Sequence, residues 1–350
     1  MTLPTSHKVY RKKGISANVD NLSQSVEPIP SYGKDDILVK VKSVALNQRD
    51  IMILTGMFPW PVKDEVVPCS DFSGEVVAIG NNVSKFEIGD RAIGNFLLTN
   101  QYGTPTCYDD SLGGFVDGGL REYVALPAVS ANKIPKSAPL SWDEMSSLVC
   151  AGVTAWNGLY GIDGTESLKP GQTVLAIGTG GVSAIGLAIA RAAGMTTIVT
   201  SSSDEKLRKF KYDVDYTVNY KTHPNWADEV LRFTDGVGAD IVLENGGSGT
   251  ISESVRALAV GGRVSIIGVI APATQEDMPD ITLMAISKAA NIRGVHIGST
   301  QLAEQLIKFT NKFGLKIPID RVFKFDEAPE AFQYLQRARH IGKVCIRVAE

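Results

Sequence analysis

A short glycine-rich stretch near the middle of the chain contains the residue types that hold an anionic nucleotide. It reads IGTGGVS, in which Gly178 and Gly180 take the first two glycine positions of a dinucleotide-binding turn and Ser183 takes the third. Gly178 allows a tight turn, Gly180 lets the backbone approach a pyrophosphate, and the third position requires a small side chain. Amide donors around Gly181 and Val182 would hold that group at a helix N-terminus. The alternative is an ordinary glycine-rich turn, because such a motif alone is weak evidence.

The segments around this turn decide between the two interpretations. After about residue 150, short apolar runs alternate with helical patterns, which is typical of a doubly wound parallel sheet covered by helices on both faces. The glycine turn follows the first of these strands and opens a helix, so the context favours a cofactor site. The predicted strands are 173–177, 197–201, 216–219, 240–244, 263–267 and 292–297, and the predicted helices are 182–193, 205–211, 225–233 and 250–259.

The first part of the chain has a different pattern. Short alternating or apolar runs, interrupted by turn residues, predict strands at 37–44, 73–79, 91–96 and 122–126. From about residue 300 the pattern predicts a helix, a strand, a helix and a final strand at 344–348. The predicted fold class is therefore α/β, with a doubly wound parallel sheet in the part of the chain after about residue 150 and a β-rich structure before it.

Composition narrows the classes of partner. With 350 residues, 44% hydrophobic residues and a formal net charge of −3, the chain offers no basic face for nucleic acid or an anionic membrane, and a small-molecule substrate is expected. The N-terminal stretch lacks the apolar core of a signal peptide, and we expect a cytoplasmic protein with no membrane partner. The four cysteines and four histidines are scattered without a CxxC or HExxH motif, so free thiols and no metal are predicted.

The end of the second parallel strand indicates which nucleotide binds. NAD-binding proteins place an acidic residue there to bond the ribose, whereas an NADP site needs hydroxyls or cations. The sequence reads TSSSDEKL, so Ser201, Ser202 and Ser203 can donate to a 2′-phosphate and Lys206 can add positive charge. The same residues could also simply cap a helix, and the two roles are compatible. We predict NADP(H) as the cofactor.

Several further motifs, in order along nearly the whole chain, resemble the medium-chain dehydrogenase/reductase superfamily, and TSSSDEKL followed by VNY resembles its zinc-free, quinone oxidoreductase-like branch. The resemblance implies a GroES-like catalytic domain formed by residues 1–152 and 299–350, and a Rossmann NADP-binding domain, a doubly wound parallel sheet, formed by residues 153–298. The motifs are VALNQRDIMILTG (44–56), DFSGEVVAIGNNVSKFEIGDRAIG (71–94), GGLREYV (118–124), AGVTAW (151–156), LKPGQTVLAIGTGGV (168–182) and GKVCIRV (342–348).

The resemblance also locates the positions at which zinc-dependent members bind their catalytic metal. This chain has Asn47, Ser70 with Asp71, and Ala151 at those places. Cys69 and Cys150 are each one residue away, and a one-residue step turns a side chain to another face, so we interpret them as packed thiols. The lobe that carries structural zinc in relatives contains a single cysteine, Cys107. No metal site is predicted.

The resemblance assigns further residues to the cofactor. It places Tyr220 beside the 2′-phosphate and Thr154 against the nicotinamide, with Gly268, Val269, Ile297 and Gly298 lining the ring and carboxamide; Asn245 and Lys343 complete the predicted cofactor set. Relatives often pair through an edge of the Rossmann sheet, so the resemblance implies a homodimer.

Without a Lewis acid, the expected substrate is one already activated by conjugation. Hydride adds to carbon while charge develops on a remote oxygen that hydrogen-bond donors stabilise. We therefore expect an NADPH-dependent reductase of an enone or quinone, with Asn47 and Asp50 as candidate catalytic residues; both could instead be turn or cap residues. The alternatives are a zinc-free alcohol or carbonyl oxidoreductase and a non-catalytic NADPH-binding protein.

Overall fold

The computed structural model describes residues 3–161, 168–210 and 214–349. They form two compact units, one comprising Met1–Val153 with Gly298–Glu350 and the other Thr154–Ile297. No helix in the described part is long and apolar enough to cross a bilayer.

The first unit begins as a β-rich structure. Its strands are β1 (Ser6–Lys12), β2 (Leu22–Pro28), β3 (Asp36–Ala45), β4 (Asp71–Ile79), β5 (Arg91–Gly94), β6 (Tyr123–Pro127) and β7 (Ala131–Ile134), and its helices are α1 (Gln48–Thr55) and α2 (Trp142–Ser146). β1 and β2 form a two-stranded antiparallel ribbon that precedes the long strand β3, which pairs antiparallel with both β4 and β6. A π-helical turn, Leu148–Gly152, follows α2.

The second unit is a parallel sheet with helical connections. Its elements are α3 (Val153–Tyr160), β8 (Thr173–Ile177), α4 (Gly181–Ala192), β9 (Thr196–Ser201), α5 (Asp204–Phe210), β10 (Tyr216–Asn219), α6 (Trp226–Phe233), β11 (Ala239–Glu244), α7 (Ile251–Arg256), β12 (Leu258–Ile266), α8 (Ile281–Lys288) and β13 (Asn291–Gly294). The strand order is β10-β9-β8-β11-β12-β13 and every pairing is parallel. All five residues of β8 are buried, as expected of a central strand whose two faces are covered.

One predicted helix is too long. The sequence pattern continues to residue 259, but α7 ends at Arg256 and β12 begins at Leu258. The Ala239 N–H donates to Ala257 O at 2.8 Å, and Ala239 pairs with Leu258. Residues that local periodicity alone assigns to the helix are therefore in a strand, because they pair with β11. The strand predicted at 292–297 likewise ends early, at Gly294. The last residue of the helix predicted at 205–211 lies outside the described residues.

The chain then returns to the first unit through α9 (Thr300–Phe313), β14 (Ile319–Lys324), α10 (Ala328–Gln336) and β15 (Lys343–Arg347). β15 pairs antiparallel with the end of β3, where Cys345 lies opposite Ala45. The resulting seven-stranded sheet has the order β14-β15-β3-β4-β5-β7, with β6 on β3. This pairing brings Lys343 next to the segment that follows β3. The predicted fold class, a Rossmann parallel sheet with a separate β-rich domain, is confirmed.

Candidate active site

The glycine turn forms an open cradle at the start of a helix. Gly178 follows β8 with a φ of +81°, a conformation that favours glycine. Gly180 is the N-cap of α4, and a Cβ built on it would meet no atom of the described residues within 4 Å. The first backbone donors of a helix have no acceptor within it. The cradle therefore fits an anionic group held by the amides of the first turn, where Gly181 and Val182 lie.

Ser183, at the third glycine position, is buried and fully engaged. Its Oγ donates to Ile177 O at 2.9 Å and accepts from Asn245 Nδ2 at 3.0 Å. The serine therefore joins the first turn of α4 to the end of β8 and to the loop after β11. This network explains how a hydroxymethyl group is accommodated where the motif prefers glycine. It also gives Asn245 a structural contact, while its contact with the cofactor stays a prediction.

The serines after β9 are arranged as a helix cap. Ser203 Oγ accepts from the Lys206 N–H at 3.3 Å, and Ser201 Oγ accepts from the Ser203 N–H at 3.3 Å. The Tyr220 N–H donates to Ser201 O at 3.1 Å, which brings that tyrosine beside the strand end. Ser202 is half-buried in the same turn. The structure thus gathers four of the residues predicted to surround the 2′-phosphate, and Lys206 lies in the first turn of α5.

Residues predicted to face the nicotinamide lie at the start of helix α3 and in loops. Thr154 is buried, and its Oγ has no hydrogen-bond partner within the described ranges. Gly268 packs against the backbone of Asn245, since a Cβ there would lie 2.2 Å from Asn245 O. Val269 is exposed, and Ile297 has a φ of +53°. Gly298 belongs to the other unit, at the start of its C-terminal segment.

A buried polar cluster lies at the junction of β3, β4 and β15 in the first unit. Lys343 is 2% exposed, and its Nζ donates to Leu46 O at 2.7 Å and to Asn47 Oδ1 at 2.6 Å. The same ammonium lies 3.6 Å from Asp71 Oδ2, which also accepts from the Cys150 N–H at 3.2 Å. Lys343 was predicted as a cofactor contact, which stays a prediction; the structure places it beside the candidate catalytic Asn47.

Asp50 and Arg49 extend this cluster into α1. Asn47 is the N-cap of α1, and its N–H donates to Asp50 Oδ2 at 2.8 Å. Both candidate catalytic residues therefore take part in capping this helix. Burial raises the pKa of Asp50 to about 6, while the Arg49 charge opposes that rise. Arg49 donates to Leu112 O at 2.7 Å, its guanidinium lies 4.5 Å from the Phe96 ring centroid, and burial lowers its pKa.

The raised pKa of Asp50 has a consequence for stability. An acid whose folded pKa exceeds its ordinary 3.8 contributes stability at low pH that is lost as pH rises through about 6. We expect Asp50→Asn to be more stable than the wild type by about 3 kcal/mol at pH 8, and by about half as much at pH 5. Urea unfolding at the two pH values measures the difference. An equal difference at both would show that ionisation of Asp50 is not its cause.

Comparison with known proteins places these features in a family. A protein-family model described as an alcohol dehydrogenase GroES-like domain matches residues 33–136, and one described as a zinc-binding dehydrogenase matches residues 181–312. A zinc-type alcohol dehydrogenase-like protein of Schizosaccharomyces pombe is 40% identical over 317 residues, which cover 89% of this chain and 91% of that protein. The chain belongs to the medium-chain dehydrogenase/reductase superfamily.

Two further proteins that are similar to this chain are described by different reactions. A solved structure from Sinorhizobium meliloti, described as a candidate alcohol dehydrogenase, is 35% identical, covers 99% of this chain and 100% of its own, and superposes with a TM-score of 0.89. An acryloyl-coenzyme A reductase from Sulfurisphaera tokodaii is 27% identical and covers 91% of this chain and 94% of its own. The chain is thus an oxidoreductase of a superfamily that binds nicotinamide cofactors.

The residues at the superfamily's catalytic zinc positions do not fit a zinc ion. Asn47 Oδ1 already accepts from the Lys343 ammonium, and Ser70 Oγ donates to Asp71 Oδ1 at 2.6 Å. Asp71 Oδ2 accepts from the Cys150 N–H at 3.2 Å and lies 3.6 Å from the Lys343 ammonium, so protein groups engage both oxygens of this carboxylate. Within the described residues, no group of three or more His, Cys, Asp or Glu is arranged to hold a metal.

Cys150 lies in the π-helical turn, and its N–H donates to Asp71 Oδ2 at 3.2 Å. The interpretation of Cys150 as a packed thiol stays a prediction. The sequence analysis missed Arg49 as a member of the cluster. One signal for the burial of Lys343 was available, since this lysine opens the strand KVCIR ahead of three apolar residues. A buried cation of this kind requires a partner.

Proposed function

We propose that this protein reduces a conjugated small molecule, an enone or a quinone, with NADPH and without zinc. The observation that carries the proposal is the 2.6 Å contact between the Lys343 ammonium and Asn47 Oδ1. A protein cation thereby engages the side chain that replaces the first zinc ligand. A second, divalent cation at the same point would be repelled.

The reaction class follows from what these residues can do. An isolated carbonyl needs strong polarisation before it accepts hydride, which zinc provides in zinc-dependent enzymes. A conjugated electrophile needs less, because negative charge develops on an oxygen remote from the carbon that is attacked, and one or two hydrogen-bond donors stabilise it. NADPH supplies the hydride when bound. Asn47 would donate to the developing oxyanion, and water would supply the proton that completes the reduction.

The choice of NADP(H) over NAD(H) rests on the end of β9. No carboxylate occupies positions 200–203, and the first acid beyond them, Asp204, accepts from Asn219 Nδ2 at 2.6 Å. Three serine hydroxyls remain at the strand end, and a hydroxyl that accepts a backbone bond can still donate its own proton. Those donors suit a 2′-phosphate better than a pair of ribose hydroxyls.

The relatives support two candidate reactions. The acryloyl-coenzyme A reductase is named for a conjugated substrate, which favours reduction of a C=C bond. The 40% identical relative and the Sinorhizobium structure are described as alcohol dehydrogenase-like, which favours a zinc-free alcohol or carbonyl oxidoreductase as the second candidate.

A single substrate screen separates these candidates. Purified protein is mixed with NADPH or NADH and with an enone, a quinone, an aldehyde or a simple ketone, each with and without a metal chelator. We expect NADPH oxidation with the enone or quinone, unchanged by chelator and at least about tenfold more efficient than with NADH, a preference of about 1.4 kcal/mol. Faster turnover of the simple ketone would favour the second candidate. Loss of activity with chelator would contradict the absence of zinc.

A further inference from the structure

The orientation of the Asn47 side chain is determined by its neighbour. A lysine ammonium has three donors and no acceptor, so the amide atom that lies 2.6 Å from Lys343 Nζ must be the oxygen. The amide nitrogen, Nδ2, is then turned away from the lysine. Amide orientation in proteins is commonly assigned from such networks, and here an obligate donor fixes it.

Lys343 is itself held firmly. It is the first residue of β15, and its Nζ also donates to Leu46 O at 2.7 Å and lies 3.6 Å from Asp71 Oδ2. Both side chains are buried, and Asp71 is held in turn by Ser70 Oγ and the Cys150 N–H. The ammonium therefore has three oxygens around it and belongs to an almost fully buried side chain, which favours its contact with Asn47.

The remaining donor of Asn47 is left for a ligand. The Asn47 N–H is used by Asp50 Oδ2, and its side-chain oxygen is used by Lys343. Nδ2 is buried, and no residue in the described parts of the chain accepts its hydrogen bond. A buried donor without an acceptor is unfavourable, and such groups recur where a protein awaits a ligand acceptor.

We propose that Lys343 is a positioning residue that holds the Asn47 amide with Nδ2 toward the substrate, where it donates to the oxygen of the conjugated electrophile. This inference rests on the proposed function. The buried ammonium makes the amide a preorganised donor, since the amide does not have to reorient when charge develops on the oxygen. It also excludes the flipped amide, which would present an oxygen to that charge.

Two changes test the proposal by separating the donor from the contact with the lysine. Asn47→Asp keeps an oxygen for Lys343 but removes the Nδ2 donor, and we expect kcat for the enone to fall about 100-fold with the Kd for NADPH unchanged.

Lys343→Met combined with Asp71→Asn removes both members of the buried ion pair, which avoids leaving one charge unpaired. We expect kcat to fall by at least about tenfold, because the amide loses its fixed orientation. Lys85→Met, which removes another lysine bonded to a backbone carbonyl of the same unit, is the control and should leave kcat unchanged.

Combining the changes distinguishes a positioning role from a structural one. If Lys343 acts through Asn47, its removal in the Asn47→Asp background costs little more activity, whereas independent structural effects would multiply. A kcat for Asn47→Asp within about threefold of the wild type, or multiplicative losses in the combined variant, would overturn the inference. If the Lys343 variant does not fold, Asn47→Asp still decides whether Nδ2 is the donor. Wild-type protein that reduces no enone or quinone would instead refute the proposed function.

Discussion

Replacing Gly180 with aspartate is expected to abolish dinucleotide binding while leaving the protein folded. The residue is the N-cap of α4, with φ −75° and ψ −175°, a backbone conformation that any residue adopts, and a Cβ there meets no described atom within 4 Å. Aspartate is also among the preferred N-cap residues, so the helix should be at least as stable. The same carboxylate would occupy the anion cradle and repel a pyrophosphate. We expect the Kd for NADPH to rise at least about 100-fold, on the order of 3 kcal/mol.

Gly294→Asp provides a matched control for this change. Gly294 lies in β13 of the same unit, has no described atom within 4 Å of its Cβ position, and is likewise free of the left-handed conformation. The control adds the same charge to the same unit outside the glycine turn, so it should bind NADPH as the wild type does. Fluorescence titration gives the Kd, and thermal unfolding reports the fold. If Gly180→Asp binds NADPH normally, the nucleotide does not lie on the amides of this turn.

The fold could be predicted where the order of apolar and polar residues clearly reflects which positions are buried. β8 and β10 match the predicted bounds, because a strand covered on both faces is a short apolar run bounded by turns. β1 and β2 were missed, since their half-exposed, largely polar sequences, SHKVYRK and LSQSVEP, lack such a run. α8 was missed for another reason. Its eight residues contain none that is buried, so no amphipathic pattern marks it.

The candidate site was predictable in its local part and not in its long-range part. The glycine turn and the serines after β9 are contiguous motifs whose chemistry follows from residue type. The contact of Lys343 with Asn47 spans 296 residues and exists because β15 pairs with β3. Local patterns predict that both strands exist, but they do not specify which strands are neighbours. Resemblance to the superfamily gave the positions of the zinc ligands, and the structure was needed to show that a lysine ammonium engages the first of them.

Glu244→Ala is expected to be the most destabilising single change near the cofactor turn. Glu244 is fully buried at the end of β11, and its Oε1 accepts from the N–H groups of Gly246 at 2.6 Å and Gly247 at 3.0 Å and from Thr250 Oγ at 2.7 Å. Ser254 Oγ donates to Oε2. Alanine would leave four donors without this acceptor, and at about 1–3 kcal/mol for each buried group we expect a loss of at least about 4 kcal/mol in the free energy of unfolding.

Glu244→Gln separates the lost acceptor from the lost charge. The glutamine oxygen can keep the three donors now on Oε1, and its amide nitrogen can donate to Ser254, whose hydroxyl accepts as well as donates. We expect this variant to lose about 1–2 kcal/mol, since hydrogen bonds to a charged acceptor are the stronger kind. Urea unfolding measures the free energy of unfolding of both variants. Equal stability of the two variants would show that the negative charge, rather than the acceptor geometry, holds this loop. Because the loop held by Glu244 begins with Asn245, which bonds Ser183 on the cofactor turn, Glu244→Ala should also weaken NADPH binding.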